Sequence, residues 1–307
     1  MPEPRCVLLP YPPEGVLADL PDSLEVHVWD GAGEPPVDVL DRVELYVVPY
    51  TFRTEVAEVA ARMPRLTAVQ TLTAGVEHLR PYVREGVLLC NARGVHDAST
   101  AELALALVLA SLRGIPGFVR AQDRQQWAHV ERPALADRTV LVVGYGSVGA
   151  AVERRLLPFE CDVLRVARTA REGVAGIDDL PGLLPRADVV VLTLPLTDET
   201  RGLVDGGFLA AMRDGALLVN VARGPVGHPD ALLAELGGGR LAAALDVTDP
   251  EPPPPGHPLW SVPGLLLSPH VGGNTSAFLP RALRLVRDQL DRFAADRPLA
   301  HVMTADY

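Results

Sequence analysis

The chain contains no lysine, and all 28 of its basic residues are arginine. Chemistry that needs a side-chain amine is closed to it. That excludes Schiff-base catalysis, the phosphate-binding lysine of a P-loop, and any dehydrogenase whose proton donor or substrate anchor is lysine. A charged donor here must be arginine or histidine. Cysteine is also scarce, with three in 307 residues. Cys6, Cys90 and Cys161 form no CxxC pair and lie in or beside apolar stretches. They read as reduced core residues, which speaks against a structural zinc site, and no metal is expected.

Long apolar runs are missing as well. The longest, residues 103–110, is far too short to span a bilayer. Met1-Pro-Glu-Pro-Arg5 lacks the basic segment and apolar core of a signal sequence, so a cytoplasmic protein is expected. The formal charge of −11 repels nucleic acid and anionic membrane surfaces. The expected partner is a small molecule, with neither nucleic acid nor membrane.

What is present is an alternation of β-rich and helix-compatible segments. Runs at 6–9, 24–29, 45–48, 68–72 and 87–90, separated by stretches such as 55–62, describe a first parallel α/β lobe. Residues 99–113 give a long apolar helix, capped by Ser99 or Thr100 and stopped near Gly114 and Pro116, expected to connect two lobes. A second series at 139–143, 163–166, 189–194, 216–221, 241–245 and 265–267 describes a doubly wound sheet. A last helix near 275–295 is expected to return to the first lobe, and the proline run 250–256 favours a stiff, extended path.

The strand at 139–143 leads into Gly144-Tyr145-Gly146-Ser147-Val148-Gly149 and then a helical pattern. Strand, glycine turn and helix arrive in the order a dinucleotide site requires: Gly144 for the tight turn, Gly146 for backbone approach to a pyrophosphate, Gly149 for close helix packing. The next strand should end in a carboxylate for the adenosine ribose. It ends instead in Ala167, followed by Arg168, Thr169 and Arg171. A missing carboxylate and added guanidinium groups favour a 2′-phosphate, so NADP(H) is expected over NAD(H), with NAD(H) possible. The competing reading is a solvated arginine loop.

Three polar motifs follow successive strand-like runs: Val219-Asn-Val-Ala-Arg223, Asp246-Val-Thr-Asp-Pro-Glu251 and Ser268-Pro-His270. In a parallel sheet those strand ends share one edge. Arginine, carboxylate and histidine are the set that reduction of a 2-oxo acid calls for. Arg223 offers a planar, permanent charge to the substrate carboxylate and carbonyl. His270 can deliver the proton, and Glu251 can hold the imidazole and favour its protonated form. Singly, each also reads as a surface or loop residue.

The ordered motifs resemble the D-specific 2-hydroxyacid dehydrogenases over nearly the whole chain, in the manner of glyoxylate/hydroxypyruvate reductases. They are Leu72-Thr-Ala-Gly75-Val-Glu-His-Leu79, Asn91-Ala-Arg-Gly94-Val-His96, the glycine turn, Pro195-Leu-Thr-Asp-Glu-Thr200, the Arg223 motif, the Glu251 loop with His257-Pro-Leu-Trp260, and Ser268-Pro-His270. The resemblance implies that Arg223 binds and polarises substrate, that His270 is the acid/base, and that Glu251 pairs with it. It implies that backbone amides at Ala74, Gly75 and Val76 hold the substrate carboxylate, and that Asp246 faces the nicotinamide carboxamide. It also implies further cofactor contacts at Leu194, Pro195, Thr200, Val221, Ala222, Gly272 and Gly273. The fold expected from it is α/β, with two doubly wound parallel-sheet lobes: a Rossmann cofactor domain, 96–275, inserted in a flavodoxin-like substrate domain, 1–95 and 276–307. Homodimers through the cofactor domain are expected.

The departures from the family pattern are Ala167 at the ribose position, Val226-Gly-His228 where an acidic or amide residue is common, and an early end without the regulatory domain of many phosphoglycerate dehydrogenases. His228 reads as a helix cap, His78 and His96 as structural, Trp127 and Trp260 as interface or core aromatics, and Tyr50 and Phe52 as pocket residues. Formate dehydrogenases resemble the fold but carry an amide where Glu251 stands. Two other functions compete with 2-oxo acid reduction: a non-catalytic dinucleotide-sensing protein, and oxidation of an inorganic or one-carbon acid.

Overall fold

The computed structural model describes residues 3–51 and 53–303. Phe52 lies outside them. The chain forms two compact units, Met1–His96 with Ser276–Tyr307, and Asp97–Thr275.

In the first unit, β1 (Arg5–Leu9), β2 (Leu24–Val28), β3 (Val43–Val47), β4 (Ala68–Gln70) and β5 (Leu88–Cys90) form one parallel sheet in the order β2-β1-β3-β4-β5, with the short helices α1 (Val37–Leu40) before β3 and α2 (Thr54–Glu58) before β4. This is the flavodoxin-like order. Side chains alternate between the sheet's two faces, and both faces are apolar. Cys6, Leu8 and Tyr46 enter one cluster, while Val7, Leu9, Leu45 and Val47 enter the other. The second cluster is closed by α9 (Phe278–Ala294). Its residues Ala282, Val286, Leu290 and Phe293 recur at helical spacing and are almost fully buried. Each of the larger ones contributes about 1.5–3 kcal/mol by leaving water.

The second unit opens with α3 (Asp97–Arg113) and α4 (Ile115–Asp123). It then runs β6 (Thr139–Val143), α5 (Ser147–Leu156), β7 (Asp162–Val166), α6 (Leu180–Leu183), β8 (Val189–Leu192), α7 (Gly206–Ala211), β9 (Leu217–Asn220), α8 (Pro229–Gly237), β10 (Ala242–Leu245) and β11 (Leu265–Leu267). The parallel sheet order is β11-β10-β9-β8-β6-β7. Because β6 sits between β7 and β8, the order in which strands are added reverses there, while all strands stay parallel. The crevice for a ligand opens at the carboxyl ends of β6 and β8. Leu141, Val143, Val190 and Leu192 face one core, and Val140, Val142, Val189 and Val191 the other. The near-continuous valine and leucine runs follow from burial on both faces.

Several local expectations change. The connector helix α3 begins at Asp97, so Ser99 sits inside its first turn and bonds Thr275 Oγ1 at 2.7 Å instead of capping. An acidic residue in the first turn suits the helix dipole without such a cap. His228 holds the N-cap position of α8, but its side chain accepts no bond from the helix. Trp127 and Trp260 are 95% and 58% exposed, which removes the core reading for both. No single described helix is long and apolar enough to cross a membrane.

One polar residue in the apolar face of α9 ties the first unit together. Gln289, fully buried, donates to Gln70 Oε1 at 2.6 Å and Ala300 O at 3.0 Å, and accepts from Ala300 N at 2.8 Å. Gln70 in turn donates to the carbonyls of Thr71 and Asn91. Gln289→Leu keeps the volume but strands buried polar atoms, and should destabilise this unit by about 2–3 kcal/mol. Trp29, buried in the same unit, reports its unfolding by fluorescence in a urea titration. A midpoint equal to that of the wild type would show that the network adds no stability.

Candidate active site

At the switch point of the second unit, Gly144 takes φ +98, and a Cβ there would meet Leu194 N at 2.5 Å. A Cβ on Gly149 would meet Gly144 O at 2.9 Å, whereas at Gly146 it would find only Gly144 O, at 3.9 Å. The first and third glycines are thus required by packing, and the second leaves the approach open. The amides of Gly144 and Tyr145 both donate to Val166 O, and that of Gly146 to Gly144 O. Among the described residues, the donors left for an anion are the first-turn amides of α5, Ser147, Val148 and Gly149, at the positive end of the helix. This cradle fits a dinucleotide pyrophosphate. Thr200 Oγ1 donates to Pro195 O at 2.7 Å and shapes the turn beyond Leu194.

Tyr145 does more than follow a glycine. Its hydroxyl donates to Glu153 on α5, which also pairs with Arg165. Beyond β7, Ala167 N donates to Ala175 O, and Arg171 N and O pair with Val174, closing a short loop. Arg168, Thr169 and Arg171 are exposed on this loop. Arg171 Nη2 donates to Tyr145 O at 2.5 Å. One guanidinium is therefore brought onto the glycine turn itself.

The three motifs after β9, β10 and β11 converge around Asp246, which is 3% exposed. Its Oδ1 accepts from Ser268 Oγ at 2.6 Å and Val271 N at 2.9 Å, and its Oδ2 from Gly272 N at 2.9 Å. Its backbone carbonyl accepts from His270 N at 2.8 Å. These bonds hold His270 at φ +52, a left-handed conformation that costs a non-glycine residue about 1–2 kcal/mol. So placed, His270 Nδ1 donates to Glu251 Oε1 at 2.5 Å, and Thr248 N donates to Glu251 Oε2 at 3.3 Å.

Arg223 sits in the adjoining loop. Asn220 Nδ2 donates to Arg223 O at 3.0 Å, and Asn220 Oδ1 accepts from Ala222 N at 2.9 Å, so the buried Asn220 sets the turn of Val221 and Ala222. A Cβ on Gly224 would lie 1.8 Å from Thr248 O. Only glycine lets the Arg223 loop pack directly on the Glu251 loop. Burial alone would raise the Glu251 carboxyl, but the hydrogen bond and charge of His270, the Thr248 amide and the Arg223 charge outweigh it. The carboxyl lies below its ordinary value. The charges of His270 and Arg223 thus both act on the Glu251 carboxylate. Asn220, Thr248 and Ser268, which position them, escaped the sequence reading. Their one visible signal is a short polar residue where a buried strand ends.

The first unit holds its own donor strip. The carbonyls of Thr73, Ala74 and Gly75 accept from Ala92 N at 2.9 Å, Asn91 Nδ2 at 2.9 Å and Thr73 Oγ1 at 2.7 Å. In a trans peptide the C=O and N–H point opposite ways. Pinning three carbonyls inward therefore turns the amides of Ala74, Gly75 and Val76 outward, and among the described residues none of them donates a hydrogen bond. Gly75 and Val76 are buried, so these amides call for an acceptor. Tyr50 packs with its ring centroid 4.0 Å from that of Phe278 and 5.6 Å from that of His96. His96 Nε2 lies 2.8 Å from Leu72 O.

Among the described residues, the donor set closest to a metal site is Cys6, Glu25 and His27. Both Glu25 oxygens are held by Arg42, at 2.5 and 2.9 Å, and one also by His27 at 2.8 Å. Arg42 and His27 keep the Glu25 carboxyl at about 2. The neutralising arginine occupies the place of a cation.

A profile of the D-isomer specific 2-hydroxyacid dehydrogenase NAD binding domain matches residues 105–272. A glyoxylate reductase/hydroxypyruvate reductase of Mus musculus is 34% identical over 226 residues, 68% of this chain and 68% of that protein. A glyoxylate reductase of Korarchaeum cryptofilum is 30% identical over 308 residues, 95% of this chain and 93% of the other. Among solved structures, an NADPH-dependent glyoxylate/hydroxypyruvate reductase from Sinorhizobium meliloti, in complex with NADP and sulfate, is similar at a TM-score of 0.82 and 27% identity, with 98% of both chains covered.

The Glu251 pairing has a measurable sign. A carboxyl whose folded value lies below its unfolded value stabilises the fold above the unfolded value, and that contribution is lost as pH falls through the folded one. Glu251→Gln should therefore melt below the wild type at neutral pH, and the gap should close as pH falls from about 6 to below about 4. A gap independent of pH would mean that the carboxylate is not held by its neighbours' charge.

Proposed function

Since the chain belongs to the D-isomer specific 2-hydroxyacid dehydrogenases, we propose that it reduces a small 2-oxo acid of the glyoxylate or hydroxypyruvate kind, with NADPH preferred over NADH. The observation that carries this reading is the Glu251–His270 pair beside Arg223 at the strand ends of the second unit. A protein that only senses a dinucleotide has no use for a carboxylate-held imidazole in a strained backbone conformation.

The cofactor supplies the hydride when bound. The chain's own residues do the rest. Arg223 pairs with the substrate carboxylate and polarises its carbonyl, with a planar charge that persists at any working pH. His270, oriented through Nδ1 by Glu251, holds the proton at Nε2 for the oxygen that becomes the alcohol. The outward amides of Ala74, Gly75 and Val76 receive the substrate carboxylate, and Tyr50 meets its side chain. Asp246 fixes the His270 loop and offers its remaining acceptor capacity to the nicotinamide carboxamide.

The NADPH preference rests on Ala167, Arg168, Thr169 and Arg171. No carboxylate repels a 2′-phosphate at Ala167, and Arg171 is already held against the glycine turn by Tyr145 O. The Sinorhizobium meliloti relative, described as NADPH-dependent, supports the same choice. We further assign a homodimer formed through the second unit. Trp127, 95% exposed, stands in an exposed segment, 122–134, that follows α4, where Ile115 and Val119 are also exposed. So much apolar surface suits a second copy of the chain. The working compartment is the cytoplasm.

A panel of 2-oxo acids assayed with both cofactors tests the reading. Glyoxylate and hydroxypyruvate should be reduced, with kcat/KM about ten- to a hundredfold higher for NADPH, the effect of one or two charge-assisted bonds to phosphate. Ala167→Asp should reverse the preference. A wild type that favours NADH would return the arginines to a solvated loop, and absence of turnover across the panel would remove the substrate class.

A further inference from the structure

The amides at 74–76 can hold an anion only if something holds their carbonyls away from it, and the residue in that position is Asn91. We propose that Asn91 is the positioning residue of the substrate-carboxylate loop, acting with the Thr73 hydroxyl. The inference rests on the reading that this loop receives the carboxylate of the 2-oxo acid.

The bond directions follow from proton counting. Thr73 Oγ1 donates its one proton to Gly75 O at 2.7 Å. Its contact with Thr71 Oγ1, also at 2.7 Å, must then be donated by Thr71, which itself accepts from Thr73 N at 3.1 Å. This chain orients the peptide plane carrying the Val76 amide. The neighbouring plane, carrying the Gly75 amide, has a single tie among the described residues: Asn91 Nδ2 donating to Ala74 O at 2.9 Å. Release of that tie frees the plane to rotate, and the carbonyl oxygen would then face the anion in place of the N–H.

Asn91 is itself immobilised on every side. It is 6% exposed, and its Oδ1 accepts from Arg93 N at 3.2 Å. Its carbonyl accepts from Gln70 Nε2 at 3.1 Å, and its amide donates to His301 O at 3.1 Å. The end of β5 is bridged to the C-terminal segment at Cys90 and Val302, and Met303 N donates to Leu89 O at 2.8 Å. The C-terminal segment and Gln289 of α9 thus brace the residue that aims the loop. A side-chain amide is required: aspartate has the same shape but presents an acceptor to the Ala74 carbonyl and sets a negative charge behind the anion site.

The experiment compares glyoxylate with its uncharged carboxamide as substrates for the wild type, Asn91→Ala, Asn91→Asp and Thr73→Val, together with Thr73→Ser as the rescuing variant. Asn91→Ala should raise the KM for glyoxylate about tenfold, and Asn91→Asp about a hundredfold, with kcat and the NADPH dissociation constant retained. Reduction of the carboxamide should be unaffected, because it has no carboxylate to lose. Thr73→Val should behave as Asn91→Ala, and Thr73→Ser as the wild type. If the wild type fails to distinguish acid from amide, the carboxylate reading of the loop falls. If it distinguishes them and the Asn91 variants keep the wild-type ratio, the inference alone falls. A parallel loss for acid and amide would make Asn91 a general structural residue and also overturn it.

Discussion

A buried carboxylate, Asp246, is the knot on which the reactive edge of the second unit depends. Burying a charge is expensive unless donors surround it. Here the donors are a serine hydroxyl and two consecutive backbone amides from the loop after β11. Satisfying one carboxylate therefore dictates the path of that loop. The path forces His270 into the left-handed region, and that conformation delivers Nδ1 to Glu251. The same logic runs through Asn220, whose two amide atoms fix the turn that carries Arg223. His270, Glu251 and Arg223 are each placed by hydrogen bonds from neighbouring polar groups: the Asp246 loop, the Thr248 amide and Asn220.

The absence of lysine gives the molecule a consistent style of anion handling. Beside the histidine and serine that meet Glu251 and Asp246, negative groups are met by arginine, whose planar fork holds a fixed geometry, as at Glu25 and Glu153, or by backbone amides. The first turn of α5 offers such amides after the glycine turn, and the strip at 74–76 offers them in the first unit. Both depend on neighbouring carbonyls being engaged elsewhere. A backbone site of this kind shows no charged residue to a reader of the sequence.

That difference explains what was legible. The strand runs were visible because parallel sheets bury both faces and write continuous valine and leucine, as at Thr139–Val143 and Val189–Leu192. The glycine turn was visible because packing admits nothing larger at Gly144 and Gly149. Arg223, Glu251 and His270 were visible as polar residues after buried strands. Hidden were the long-range pairings: Asn91 with Ala74, Gln289 with Gln70, Ser268 with Asp246. None has a periodicity or spacing to announce it. Asp246 came forward only through resemblance, although the whole loop hangs from it. The start of α3 was misplaced because Ser99 is a good cap by type, and Thr275, far along the chain, claims its hydroxyl.

We assign to His270, held by Glu251, the proton exchanged with substrate oxygen. The most direct measurement is kcat/KM against pH in both directions, for wild type and His270→Ala, with glyoxylate and NADPH one way and the corresponding hydroxy acid and NADP the other. Reduction should fade as pH rises and oxidation as pH falls. His270→Ala should lose about 10²–10⁴-fold in rate, with cofactor binding intact and both pH limbs gone. Parallel pH profiles in the two directions, or near-wild-type turnover without the imidazole, would contradict that assignment.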